Sequence, residues 1–290
     1  MELKVEFFDG GYCTHPECIT MKGGRLSNAK YPSMFMLITH PKHGHILYDT
    51  GYSSRFHEET SKFPEKLYAL LTPVFAKHND VAAEKLKELG ILPSEINYVI
   101  LSHFHADHIG AAADFPNAKY IYLKGAFDKV RNLGKIRGLL NGYLPGLLPK
   151  DFLDRSLTVD ENQKASGFNA TIEKHFESRF DVFGDGSMVA VELPGHAEGQ
   201  LGLYLRAENE ELFFVADSCW LSKSIRENIK PSLIANIIQS NNREFARTLT
   251  KLHHIWKESP EITIVPSHCG EFFAKRASLC HWDQKALNGV

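Results

Sequence analysis

Ser102-His103-Phe104-His105-Ala106-Asp107-His108-Ile109-Gly110 follows the apolar run Tyr98–Leu101 without a break and reads H-x-H-x-D-H. In a chain of this composition that pattern arises by chance roughly 0.002 times, so it calls for a mechanism. Imidazole nitrogens and carboxylate oxygens are ligands for zinc and neighbouring divalent metals, and a loop at a strand end can turn four such side chains toward one point.

Working outward, three further candidates each follow an apolar run: His196 in Leu193-Pro194-Gly195-His196-Ala197-Glu198-Gly199, Asp217 after Phe213–Ala216, and His268 after Ile262–Pro266. Taken singly, a His or Asp after a strand is more often a turn, a cap or a hydrogen-bonded core residue. Taken with the first loop, they point to a shared metal site. Cys13 and Cys18 also have a metal-type look, but their spacing and the lack of a second pair favour a loop with free thiols. His253 and His254 lie on a helix and read as packing and solvent. Cys269, next to His268, reads as packing.

Strand-like runs occur at Lys4–Phe8, Ser33–Thr39, His45–Tyr48, Tyr98–Ser102 and Lys119–Leu123. They recur at Met188–Leu193, Gly202–Leu205, Glu211–Ala216 and Ile262–Pro266, giving two β-rich halves. Helical spacing is found over Val81–Leu89, with Gly90 as its cap, and over Asn242–Glu258. Between the halves, about 124–180, lies an apolar segment with Leu139, Leu144 and Leu147, which reads as a helical insertion packed on the sheet, as a lid over an apolar pocket, or as both. Phe63–Phe75 carries the same ambiguity between core and pocket wall.

The chain has 290 residues and a net charge of −2, with 43% hydrophobic and 23% charged residues, which is ordinary globular usage. Length alone leaves the number of domains open. The near-neutral balance supplies no field for a polyanion, so nucleic acid is not an expected partner. No apolar run approaches the roughly 20 residues of a membrane span, and MELKVEFFDGG reads as a strand, not a signal peptide. Five scattered cysteines do not make a disulfide framework, which fits a reducing cytoplasm.

The ordered set His103, His105, Asp107, His108, His196, Asp217 and His268, with Asp49-Thr50-Gly51 as an early turn, resembles the metallo-β-lactamase superfamily of metal-dependent hydrolases over nearly the whole chain. The resemblance implies an α/β fold, a four-layer αβ/βα sandwich forming a single domain over 1–290 with the insertion at about 124–180. It implies two divalent metal ions, zinc first, with Mn, Fe or Co as alternatives. His103, His105 and His196 would hold one, Asp107, His108 and His268 the other, and Asp217 would bridge. A metal-bridging hydroxide would be the nucleophile and Asp107 the catalytic acid/base. Asp49 would steady a ligand imidazole from behind, or simply form a turn.

Among the branches, the chain most resembles N-acyl-homoserine lactonases, with one departure. Those enzymes carry a Tyr three residues after the bridging Asp, where this chain has Trp220, whose indole donates one hydrogen bond but cannot cycle a proton. The expected reaction is cleavage of a small ester or lactone, with an apolar acyl group resting on Leu144 and Leu147. Glyoxalase II-like thioesterase, phosphodiesterase and mononuclear-iron persulfide dioxygenase-like chemistry are the alternatives. The partner is a small molecule, and homodimerisation stays open.

Overall fold

The computed structural model describes residues 2–208, 210–232 and 239–279. One sheet contains β1 (Lys4–Pro16), β2 (Asn28–His40), β3 (Gly44–Tyr48), β4 (Val74–Phe75), β5 (Ile96–Ile100), β6 (Lys119–Tyr122) and β7 (Ser156–Thr158). The other contains β8 (Arg179–Asp181), β9 (Met188–Glu192), β10 (Leu201–Ala207), β11 (Glu210–Ala216) and β12 (Ile262–Pro266). Their orders are β4-β1-β2-β3-β5-β6-β7 and β12-β11-β10-β9-β8.

Alternation along the strands explains the layers, because successive side chains of a strand point to opposite faces. From β2, Met34, Met36 and Ile38 enter the core between the sheets, where they join Met188, Ala190, Leu212 and Phe214 of β9 and β11. The intervening Phe35 and Leu37 face the other way, into a core shared with the Ala82–Glu88 helix. On the far side, Val189, Val191, Phe213 and Val215 pack against Phe245, Leu249, Leu252 and Ile255 of the Asn242–Glu258 helix. That helix begins where Asn241 Oδ1 accepts the backbone N–H groups of Arg243 and Glu244 at 3.0 and 3.2 Å, a cap worth about 1 kcal/mol. Helix, sheet, sheet and helix thus stack as the expected four-layer sandwich. The Asn242–Glu258 helix keeps its sequence-read bounds.

Two sequence expectations need correction. Leu144 and Leu147 are 1% and 0% exposed and sit among Phe104, Phe127 and Phe152 in the core outside the larger sheet. They pack, and wall no substrate pocket. Leu147→Ala is therefore expected to reduce unfolding stability by about 2–5 kcal/mol in urea titrations, with KM unchanged for short and long acyl chains alike. The Phe63–Phe75 segment is neither core nor pocket wall over most of its length: Val74 is buried, whereas Leu70 and Leu71 are 61% and 74% exposed. Cys13 is buried within β1, and Cys13 and Cys18 are free thiols, as the loop reading implied for the pair's chemistry though not for its structure.

Candidate metal centre

Strand direction brings the site together. β3 and β5 run parallel, as do β11 and β12, and β9 runs with β11 because both are antiparallel to β10. The chain leaves these five strands into loops that carry Asp49, the His103–His108 group, His196, Asp217 and His268, in that order. Two non-glycine residues on this edge, Asp49 (φ 58°) and Ala216 (φ 46°), adopt the left-handed conformation, which costs about 1–3 kcal/mol each and concentrates at functional sites. Gly195 (φ 133°) lies against the backbone of Phe245, so any side chain there would displace the loop holding His196.

Two ligand sets result. Donor atoms of His103, His105, His196 and Asp217 lie within 4.8 Å of one another, and so do those of Asp107, His108, Asp217 and His268. Asp217 belongs to both. Its Oδ2 lies 3.3 Å from His196 Nε2, and its Oδ1 lies 3.3 Å from His108 Nε2 and 3.2 Å from His268 Nε2. Asp107 Oδ2 lies 3.2 Å from His268 Nε2 and 3.5 Å from His108 Nε2.

The outer hydrogen bonds fix which ring nitrogens face inward. His108 Nδ1–H donates to Asp49 Oδ2 at 2.7 Å, and His268 Nδ1–H donates to the Pro32 carbonyl at 2.8 Å. Ser102 Oγ–H donates to Asp49 Oδ2 at 2.8 Å and accepts from His103 Nδ1–H at 3.0 Å, while its backbone N–H donates to Asp49 Oδ1. Each of these three rings therefore turns its Nε2 toward the centre. The Nε2 atoms of His103 and His108 and Oδ1 of Asp217 are buried with no aligned hydrogen-bond partner, an arrangement proteins avoid unless something else satisfies it. The donor set fits divalent metal ions.

Electrostatics divide the sets. Burial, reinforced by His196, pulls the His105 imidazole down to about 3, and burial likewise lowers His103 and His196. These three stay neutral, as ligands must. Burial also penalises charge on His268, but Asp217 and Asp107 overcome it and raise that ring to about 10; His108 is raised in the same way. In the opposite sense, burial pushes the Asp107 carboxyl up, and His108 and His268 override it and bring it down to about 2. The second set therefore stands as a carboxylate–imidazolium cluster that a cation would enter by displacing protons.

Other residues support the centre from a distance that sequence does not show. Gly142 (φ 62°) backs His105 so closely that a Cβ there would meet the ring at 2.7 Å, and its carbonyl accepts the Ala106 N–H at 3.0 Å. Burial and then Asp107 push the Tyr68 phenol well above its ordinary value, which puts this half-buried side chain within the centre's field. Trp220 Nε1–H donates to Asp217 Oδ2 at 3.1 Å, so the indole addresses the shared carboxylate. Trp220→Phe should weaken metal binding by about 1.5–3 kcal/mol, the worth of a hydrogen bond to a charged group, as read by competition with a chromophoric chelator.

A third group, His40, His43 and Asp185, also has metal-type side chains within 4.8 Å. Its hydrogen bonds argue otherwise. His40 Nδ1 accepts the N–H groups of Lys42 and His43 at 3.0 and 3.1 Å, so its proton sits on Nε2, which donates to Ser187 Oγ at 3.0 Å. His40 therefore has no lone pair left for a metal, and the group falls to two candidate ligands, His43 and Asp185.

Two clefts meet at His196. One is narrow and lined mainly by apolar side chains, including Ile19, Trp220, Ile229, Phe245 and Leu249. The other is larger and more polar, with His105, Lys129, Asn141 and Glu198 on its walls.

An αβ/βα sandwich that gathers five histidines and two aspartates at one strand edge defines a class of metal-site proteins. The chain belongs to the metallo-beta-lactamase superfamily, whose family model matches residues 30–253. N-acyl homoserine lactonase AttM of Rhizobium radiobacter is 28% identical over 251 residues, 86% of each chain. N-acyl homoserine lactonase AiiB of Agrobacterium fabrum is 25% identical over 231 residues, 79% of this chain and 76% of that one. A solved N-acyl homoserine lactone hydrolase, with N-hexanoyl-L-homoserine at its catalytic metal centre, superposes with a TM-score of 0.70 at 17% identity, covering 95% of this chain and 97% of that one. The dizinc quorum-quenching lactonase AidC superposes with a TM-score of 0.63 at 16% identity, covering 93% and 88%.

Proposed function

We propose that this protein is a dinuclear metal-dependent hydrolase that opens a lactone bearing an apolar acyl group. The observation that carries the reading is the sharing of Asp217 between two complete ligand sets, with the carboxylate of Asp107 beside them. Lactonases among the relatives support the substrate class. His103, His105 and His196 would hold one divalent cation, Asp107, His108 and His268 a second, with Asp217 between. Zinc suits this nitrogen- and oxygen-rich set. A pair of such cations would supply an ionised water at neutral pH and stabilise charge developing on the carbonyl oxygen.

The chain's own residues do the rest. Asp107, a carboxylate at neutral pH, would accept a hydrogen bond from the attacking hydroxyl and take up its proton. The protonated carboxyl then donates to the departing alkoxide. Asp49 and Ser102 keep His108 and His103 in the correct tautomers throughout. Trp220 holds the shared carboxylate in place and does not supply the phenol that lactonases carry there. The apolar cleft takes the acyl chain, and the polar one takes the released hydroxyl end. Free thiols at Cys13, Cys18, Cys219 and Cys269 fit a cytoplasmic setting.

The cleft assignment predicts a split in kinetics. Ile229→Asp should raise KM for long-chain acyl lactones by roughly tenfold or more, the scale of a few lost methylene contacts, while leaving short-chain substrates near their original KM. Equal effects on both would remove the acyl chain from this cleft.

A further inference from the structure

The Lys66–Leu71 helix is amphipathic in the inverted sense. Tyr68 turns inward onto Phe56, with ring centroids 5.3 Å apart, while Leu67, Leu70 and Leu71 face solvent at 41%, 61% and 74% exposure. The neighbouring Lys135–Leu140 helix does the same with Ile136 and Leu140, 65% and 64% exposed. Phe63, also 65% exposed, adds an aromatic ring at the start of the first helix. A Lys135–Glu65 ion pair of 3.5 Å joins the starts of the two helices, which brings their exposed apolar side chains to the same part of the surface. Leu140 at its edge also lines the larger cleft beside His105 and His196.

Apolar residues at i, i+3 and i+4 normally face a core, and a contiguous exposed face of them marks a contact surface. The charge around this one names its complement. Residues 62–71 and 128–140 carry Lys62, Lys66, Lys129, Arg131, Lys135 and Arg137 against Glu65 and Asp128, which pair with Lys135 and Arg131, although the whole chain is net negative. All six basic residues are exposed. A second copy of the chain meeting this face across a two-fold axis would bring the basic rim against itself. An anionic lipid surface would instead satisfy both features, burying the leucines at the headgroup boundary and neutralising the rim. We infer that this face docks the protein peripherally on anionic membrane, with the mouth of the larger cleft beside the lipid, where amphiphilic substrates accumulate. Docking is read by sedimentation and does not depend on which bond the centre cleaves.

The test uses the full chain, the double variants Leu70→Ser/Ile136→Ser and Lys66→Glu/Arg137→Glu, and vesicles of phosphatidylcholine with or without phosphatidylglycerol. The native protein should sediment with the phosphatidylglycerol vesicles and not with pure phosphatidylcholine, and added salt should release it. Each double variant should lower partitioning by roughly tenfold or more while hydrolysing a water-soluble short-chain lactone at the native rate. Native protein that stays in the supernatant with both vesicles overturns the inference. So does a solution dimer that Leu70→Ser/Ile136→Ser dissociates without any change in vesicle binding, which would give the face to a second copy.

Discussion

Asp107→Asn is expected to lower kcat/KM by roughly 10²- to 10⁴-fold while the chain stays folded. Asparagine keeps the shape of a side chain that is only 7% exposed and preserves an oxygen facing His268, so the packing of the loop survives. What it loses is the ability to take a proton. The carboxyl sits at about 2, so the native group is an acceptor throughout the neutral range, and the loss should be constant across that range instead of following a titration. Because Asp107 also belongs to a ligand set, metal content has to be measured on the same sample. The account expects turnover to fall far more than metal content does. A variant with near-native turnover would remove Asp107 from the chemistry.

Asp49→Ala is the second large effect, expected to weaken metal binding by roughly 10- to 100-fold. Asp49 is 0% exposed and accepts three hydrogen bonds, from His108 Nδ1, Ser102 Oγ and the Ser102 backbone. Without it, His108 is free to place its proton on Nε2, and the Ser102 hydroxyl no longer holds His103 in one tautomer. Both ligand sets are touched, one through His108 and the other through His103. Titration of the metal-free variant with zinc against a chelator would read the change, and native affinity in that titration would make Asp49 a turn residue only. Asp49→Asn should recover part of the loss, because an amide oxygen can still accept from one of these donors.

Much of this centre is legible in the chain because four of its side chains are neighbours in sequence. The H-x-H-x-D-H run needs no tertiary information to be noticed, and His196, Asp217 and His268 each follow an apolar strand, where a loop must begin. Supporting residues leave no such trace. Ser102 is one hydroxyl among many until the fold sets it between Asp49 and His103. Gly142 backs His105 across 37 residues of chain, and a glycine in a segment already rich in turns carries no signal of that contact.

The fold shows the same limit. The Asn242–Glu258 helix is readable from its apolar stripe of Phe245, Leu249 and Leu252. β4, β7 and β8 have two or three residues each, too few for alternation to register. Leu144 and Leu147 were ambiguous because a core wall and a pocket wall are built from the same side chains. The opposite surprise came at Leu67, Leu70 and Leu71, whose spacing predicts a buried stripe. The fold exposes it, and that contradiction is what singles out the docking face.

The most direct test of a dinuclear lactone hydrolase is metal analysis of protein purified without chelator, paired with lactone turnover by the same sample before and after chelation. The account predicts two divalent ions per chain, turnover that disappears with them, and recovery on adding zinc. One iron per chain with no lactone cleavage, or cleavage that persists in the metal-free protein, would contradict it.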